Sequence, residues 1–133
     1  MAKKANPKLN VRKTKSKQKL PVVRICMRAQ FNNSIITLTD LDGKVLAWSS
    51  SGASGFKGAK KKTPFAAQKA TETILEKVKL LEATNAQIVI KGAGMARDSF
   101  LRAIQASDLQ LDSIKDATGF PFGGTKPSKR RRV

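Results

Sequence analysis

The chain has 133 residues, 40% of them apolar, with 27 basic against 9 acidic side chains, no histidine and one cysteine. That length suits a single domain, and a net charge of +18 calls for a polyanionic partner. The same inventory excludes zinc fingers, Cys/His and Ser/His catalysis and an internal disulfide, and no apolar run reaches the ~20 residues of a membrane helix.

Residues 1–20 hold eight basic and no acidic side chains and show no hydrophobic periodicity. This reads as a basic N-terminal extension, an arm that orders on nucleic acid. Its lysines are not followed by an apolar stretch, so it does not read as a secretory signal. A globular domain is expected over residues 21–117.

From Val22 to Ala29 the pattern alternates, with Val23, Ile25, Met27 and Ala29 on one side and Arg24 and Arg28 on the other. That is a strand. Cys26 within it reads as a small buried thiol in a reducing compartment. Asn32-Asn33 marks a turn, and the β-branched run Ile35 to Thr39 a second strand. Asp42-Gly43 is a hairpin signal, and Val45 to Ser49 gives a third strand and an antiparallel meander. Asp40 and Asp42 lie at that turn, which accounts for them without a metal-dependent nuclease.

The stretch from Trp48 to Ala70 is the most unusual in the chain. A strand ends near Ser49, a Gly/Ser loop follows, and a helix opens with Thr63 as N-cap and Pro64 at its first position. Gly52, Gly55 and Gly58 lack Cβ and let the backbone approach a ligand closely. The helix start adds unpaired N–H groups and partial positive charge. Lys57, Lys60, Lys61 and Lys62 add formal charge, so the stretch favours phosphate. It does not match G-x-x-x-x-G-K-[ST].

Beyond Pro64 the period becomes helical, with Ala67, Ala70, Thr71, Ile74, Leu75, Val78 and Leu81 on one face. Ala86 to Ile90 reads as a buried strand. Gly92-Ala93-Gly94 then turns into a second helix near residues 97–107. Arg97 at that helix start is a candidate phosphate ligand. Leu109 and Leu111 open a last strand ending near Lys115. The order is βββαβαβ, an α/β mixed sheet with two helices. From residue 118 glycines and prolines disfavour regular structure, leaving a basic C-terminal tail, 118–133, with Lys126, Lys129, Arg130, Arg131 and Arg132.

Charge is concentrated rather than spread. Residues 1–20, 51–63 and 119–133 carry eight, four and five basic side chains and no acidic ones, whereas residues 64–118 carry seven of each sign. A near-neutral body with cationic appendages argues for binding. No helix suited to reading a DNA major groove is present, and a folded body with basic loop and tails suits structured RNA.

Several stretches resemble the universal small-subunit ribosomal protein S11 family, the platform protein. They include Phe31-Asn32-Asn33-Ser34-Ile35, Thr39-Asp40, Gly43, Trp48 and Gly52-Ala53-Ser54-Gly55-Phe56-Lys57-Gly58. The match continues through Lys62-Thr63-Pro64-Phe65-Ala66-Ala67-Gln68, Lys91-Gly92-Ala93-Gly94, Arg97-Asp98-Ser99 and the terminal Lys129 to Val133. The resemblance covers about residues 21–133. It implies a ribonuclease-H-like mixed sheet without that enzyme's activity, and no cofactor. It implies binding to small-subunit ribosomal RNA on the platform, near the messenger RNA (Shine–Dalgarno) cleft. It also implies small-subunit proteins seven and eighteen and initiation factor three as neighbours, on a cytoplasmic or organellar ribosome. The alternative reading of the charge pattern is a non-ribosomal nucleic-acid-binding chaperone.

Overall fold

The computed structural model describes residues 19–133. Its elements are strands β1 (Val22–Ala29), β2 (Ser34–Thr39) and β3 (Val45–Ser50), a short 3-10 helix (Gly58–Lys62), helix α1 (Pro64–Leu80), strand β4 (Asn85–Lys91), helix α2 (Arg97–Gln105) and strand β5 (Gln110–Asp116). The βββαβαβ order expected from periodicity is present. The 3-10 helix is an addition, formed by a lysine run with no apolar pattern to announce it.

The strands form one sheet in the order β3-β2-β1-β4-β5. β2 runs antiparallel to β1 and β3, and β4 runs parallel to β1 and β5. The crossovers β3-α1-β4 and β4-α2-β5 both step across the sheet in the same direction. Right-handed crossovers then lay both helices on the same face, where α1 and α2 pack against each other.

The core lies between that face and the helices. Val23, Ile25, Met27 and Ala29 point into it from β1, joined by Ile36, Leu38, Ala86, Ile88 and Ile90, and met by Ala67, Ala70, Ile74, Val78, Phe100 and Ile104. Thr71 sits in the same buried stripe because its hydroxyl donates to the Ala67 carbonyl at 2.7 Å, satisfying the one polar group it brings.

Among the described residues, the opposite face of the sheet carries no helix. Arg24, Cys26 and Arg28 lie there, beside Thr37, Val89 and Lys91. Cys26 is therefore only half-buried, not sealed in the core, because it shares the parity of the two arginines. Partial burial still pushes its thiol pKa up, with Arg24 and Lys91 acting against that.

The N-terminal extension expected over residues 1–20 lies outside the described residues except for its last two. Of these, Lys19 pairs with Glu82 at 2.7 Å and Leu20 donates its N–H to the Leu81 carbonyl. No helix or strand follows Asp116, and residues 118–133 are exposed.

Candidate nucleic-acid interface

The loop after β3 is folded upon itself. The Ala53 N–H donates to Ser50 Oγ at 3.1 Å, and Ser54 Oγ donates to the Ser50 carbonyl at 3.0 Å. The backbone N–H groups of Ser54, Gly55 and Phe56 donate to the carbonyls of Ser50, Gly52 and Ser51. This corrects the expectation for the glycine segment. The N–H groups of residues 53–56 close a compact turn and do not project as a ligand cradle. The glycines allow that turn instead: Gly55 and Gly58 have φ of 96° and 59°, a region L side chains avoid. Gly52 has no such dihedral, but its bare Cα faces the Lys61 stem, whose Cδ would lie 3.5 Å from an added Cβ.

The lysines stand clear of that turn. Lys57, Lys60 and Lys62 are exposed and Lys61 is half-buried along its stem. None of the four belongs to an ion pair among the described residues. Three of them fall in the 3-10 helix, which compresses them onto a short arc ending at Thr63. Thr63 joins the two helices. Its hydroxyl donates to the Lys60 carbonyl at 2.7 Å and accepts from the Ala66 N–H at 3.4 Å. Pro64 follows at the first helical position, and the first turn of α1 holds no acidic residue. The positive end of the helix dipole and four lysines thus share one corner with no carboxylate to neutralise them.

Two phenyl rings hold this corner together. Phe56 and Phe65 meet edge to face with centroids 5.9 Å apart, an arrangement that adds to their burial. Lys69 Nζ lies 5.6 Å from the Phe65 centroid. The pair ties the loop to the first turn of α1. The two residues are nine apart, a separation that no helix or strand period singles out.

Arg97 takes a different position from the one expected. Its Nη2 pairs with Asp116 Oδ2, and its Nη1 donates to the Gly92 carbonyl at 3.2 Å. It braces the turn after β4 against the end of β5. Thr118 completes the knot: its hydroxyl donates to Asp116 Oδ1 and accepts from the Gly92 N–H at 3.2 Å. The Thr118 bonds, then the Arg97 bond, lower the Asp116 pKa to about 2. The start of α2 also lacks a side-chain cap and carries Asp98 in its first turn, so it is less receptive to an anion than the start of α1.

The tail leaves from this knot. Lys126, Lys129, Arg130, Arg131 and Arg132 are exposed and in no ion pair among the described residues. The described residues contain no group of three or more metal-ligating side chains. Asp40 serves its turn, its Oδ1 accepting the Lys44 N–H at 2.8 Å.

The model of the family described as Ribosomal protein S11 matches residues 22–132. The chain belongs to the ribosomal protein S11 family. Relatives agree over nearly the whole length. Small ribosomal subunit protein uS11c of Mesostigma viride is 48% identical over 126 residues, 95% of each chain. The protein of the same name from Chaetosphaeridium globosum is 45% identical over 130 residues, 98% of each, and that of Fagopyrum esculentum subsp. ancestrale is 44% identical over 128 residues. As an S11 family member it is a structural component of the small ribosomal subunit and not an enzyme, and its partners are small-subunit ribosomal RNA and ribosomal proteins.

Proposed function

We propose that this S11 protein docks on small-subunit ribosomal RNA through the corner formed by Gly52, Gly55, Gly58, Lys57, Lys60, Lys61, Lys62 and Thr63. The tail cations Lys126, Lys129, Arg130, Arg131 and Arg132 extend the grip, and Arg97 contributes chiefly by fixing the tail root. In this reading the protein sits on the platform and helps form the messenger RNA cleft, with small-subunit proteins seven and eighteen and initiation factor three nearby. The observation that carries the proposal is the gathering of four lysines, in no ion pair among the described residues, at a helix start whose first turn holds no acidic residue. Phosphate is the natural occupant of such a place, and the protein acts by positioning RNA.

Filter binding of the full-length protein to small-subunit ribosomal RNA across a salt series tests it. Each phosphate neutralised contributes about 0.7 to 0.9 to the slope of log affinity against log salt. Changing Lys57, Lys60, Lys61 and Lys62 together to glutamine should reduce the slope by about three. An unchanged slope would refute the loop's role.

A further inference from the structure

Among the described residues, helices cover the sheet on one face only. β1, β4 and β5 form the parallel half of the sheet, the half whose strands are covered on both faces in sheets that are parallel throughout. The bare face is not a neutral surface. Arg28 pairs directly across β1 and β4 with Lys91, and Arg24 lies four residues earlier on the same face of β1. These cations line a hollow of about 250 Å³ on the sheet. The same Arg28 and Lys91 also border an open cleft of about 560 Å³ at the carboxyl ends of β1 and β4. Neither space is lined by a carboxylate. The nearby Asp116 is already held by Arg97 and Thr118.

The rim of the cleft carries an exposed aromatic side chain. Phe31 occupies the tip of the β1–β2 hairpin, closed by the Gln30 N–H donating to the Asn33 carbonyl at 2.9 Å. The residue is 76% exposed, and its ring meets no other aromatic ring among the described residues. A tight turn favours small polar residues, so a bare phenyl there has no local explanation. On the other side of the cleft, Gly92 and Gly94 bring the turn after β4 against the Ala29 and Gln30 backbone, where an added Cβ would overlap main-chain oxygen. The cleft wall is thus set by backbone packing.

We propose that this cleft and the adjoining bare sheet face form a second RNA site, with Arg28 and Lys91 on the phosphates of a single-stranded segment and the Phe31 ring under an unstacked base. Exposed bases stack on aromatic rings while cations follow the backbone in sites of this kind. Residues 1–20 are themselves basic without any acidic side chain, so charge disfavours that segment as the cover and favours a polyanion. The site rests on the RNA-binding reading above, but it uses none of the loop or tail cations.

The test uses the full-length protein with small-subunit ribosomal RNA and, separately, a single-stranded oligouridine. Four variants are compared: Arg28→Gln with Lys91→Gln, Phe31→Ala, Phe31→Trp, and the four-lysine loop variant. Thermal melts establish that each is folded. The Arg28/Lys91 variant should lower the oligouridine salt slope by about 1.4, two phosphates at about 0.7 each. Phe31→Ala should weaken binding by about 5- to 150-fold with the slope unchanged, and Phe31→Trp should restore it. If the loop variant loses affinity while both face variants bind RNA as the parent does, the second site is refuted and the loop reading stands. The same holds if the face variants bind RNA normally but fail to join the small subunit, since the cover is then a protein. If the parent chain itself does not bind RNA, both proposals fall.

Discussion

Replacing Gly92 by alanine tests how the strand ends are assembled. Gly92 has φ of 93°, and a Cβ there would run into the Ala29 carbonyl oxygen. The same oxygen accepts the Gly94 N–H at 3.3 Å, so the clash cannot be relieved without disturbing that bond. The left-handed dihedral costs an L residue about 1–2 kcal/mol, and forcing packed groups apart adds about 1–3 kcal/mol. A total of about 2–5 kcal/mol is a large share of the ~5–15 kcal/mol that stabilises an ordinary domain. Gly43 provides the control. Its φ is 91°, yet no atom lies within 4 Å of the Cβ position, so Gly43→Ala should lose only the dihedral part. Urea unfolding followed by circular dichroism separates the two. With a slope of about 1.5 kcal/mol per molar urea, Gly43→Ala should lower the midpoint by about 1 M and Gly92→Ala by about 1–3 M. Equal shifts in the two variants would show that the close approach at Ala29 carries no energy, and the account of the cleft wall would fail.

Asp116 offers a pH test. Its folded pKa is lowered to about 2 by Thr118 and then Arg97, so its contribution to stability is complete above the unfolded carboxylate range near ~4 and disappears as pH falls through about 2. Its carboxylate carbon resonance should titrate near that lower value, and Thr118→Val should move the midpoint upward; a midpoint already in the ordinary range would contradict the knot. Thr63→Ala removes the acceptor for the Ala66 N–H and the donor to the Lys60 carbonyl. It should cost about 1 kcal/mol of stability in thermal melts and weaken RNA binding by displacing the lysines, whereas Thr63→Ser should retain both properties.

Much of the fold was legible from period alone. The alternation from Val22 to Ala29 assigned the two faces of β1 correctly, and the stripe from Ala67 to Val78 identified the buried side of α1. Thr63 and Pro64 marked where that helix begins. These are local properties, set by side-chain geometry within a few residues. The site was legible to the extent that charge sits in contiguous runs, as in Lys60-Lys61-Lys62 and the terminal arginines. The self-closure of the serine turn was not visible, because a serine hydroxyl serves its own backbone or a ligand equally well until the chain path is known.

What the linear order by itself determined was the list of elements, their inward faces and the confinement of cationic runs to one loop and two ends. Tertiary structure alone decided which elements became neighbours. It brought Arg28 beside Lys91, 63 positions later, set Asp116 against Arg97, and put both helices on one side so that no described helix covers the other. Pairing of this kind depends on strand order and crossover handedness, which no period of two or 3.6 residues encodes.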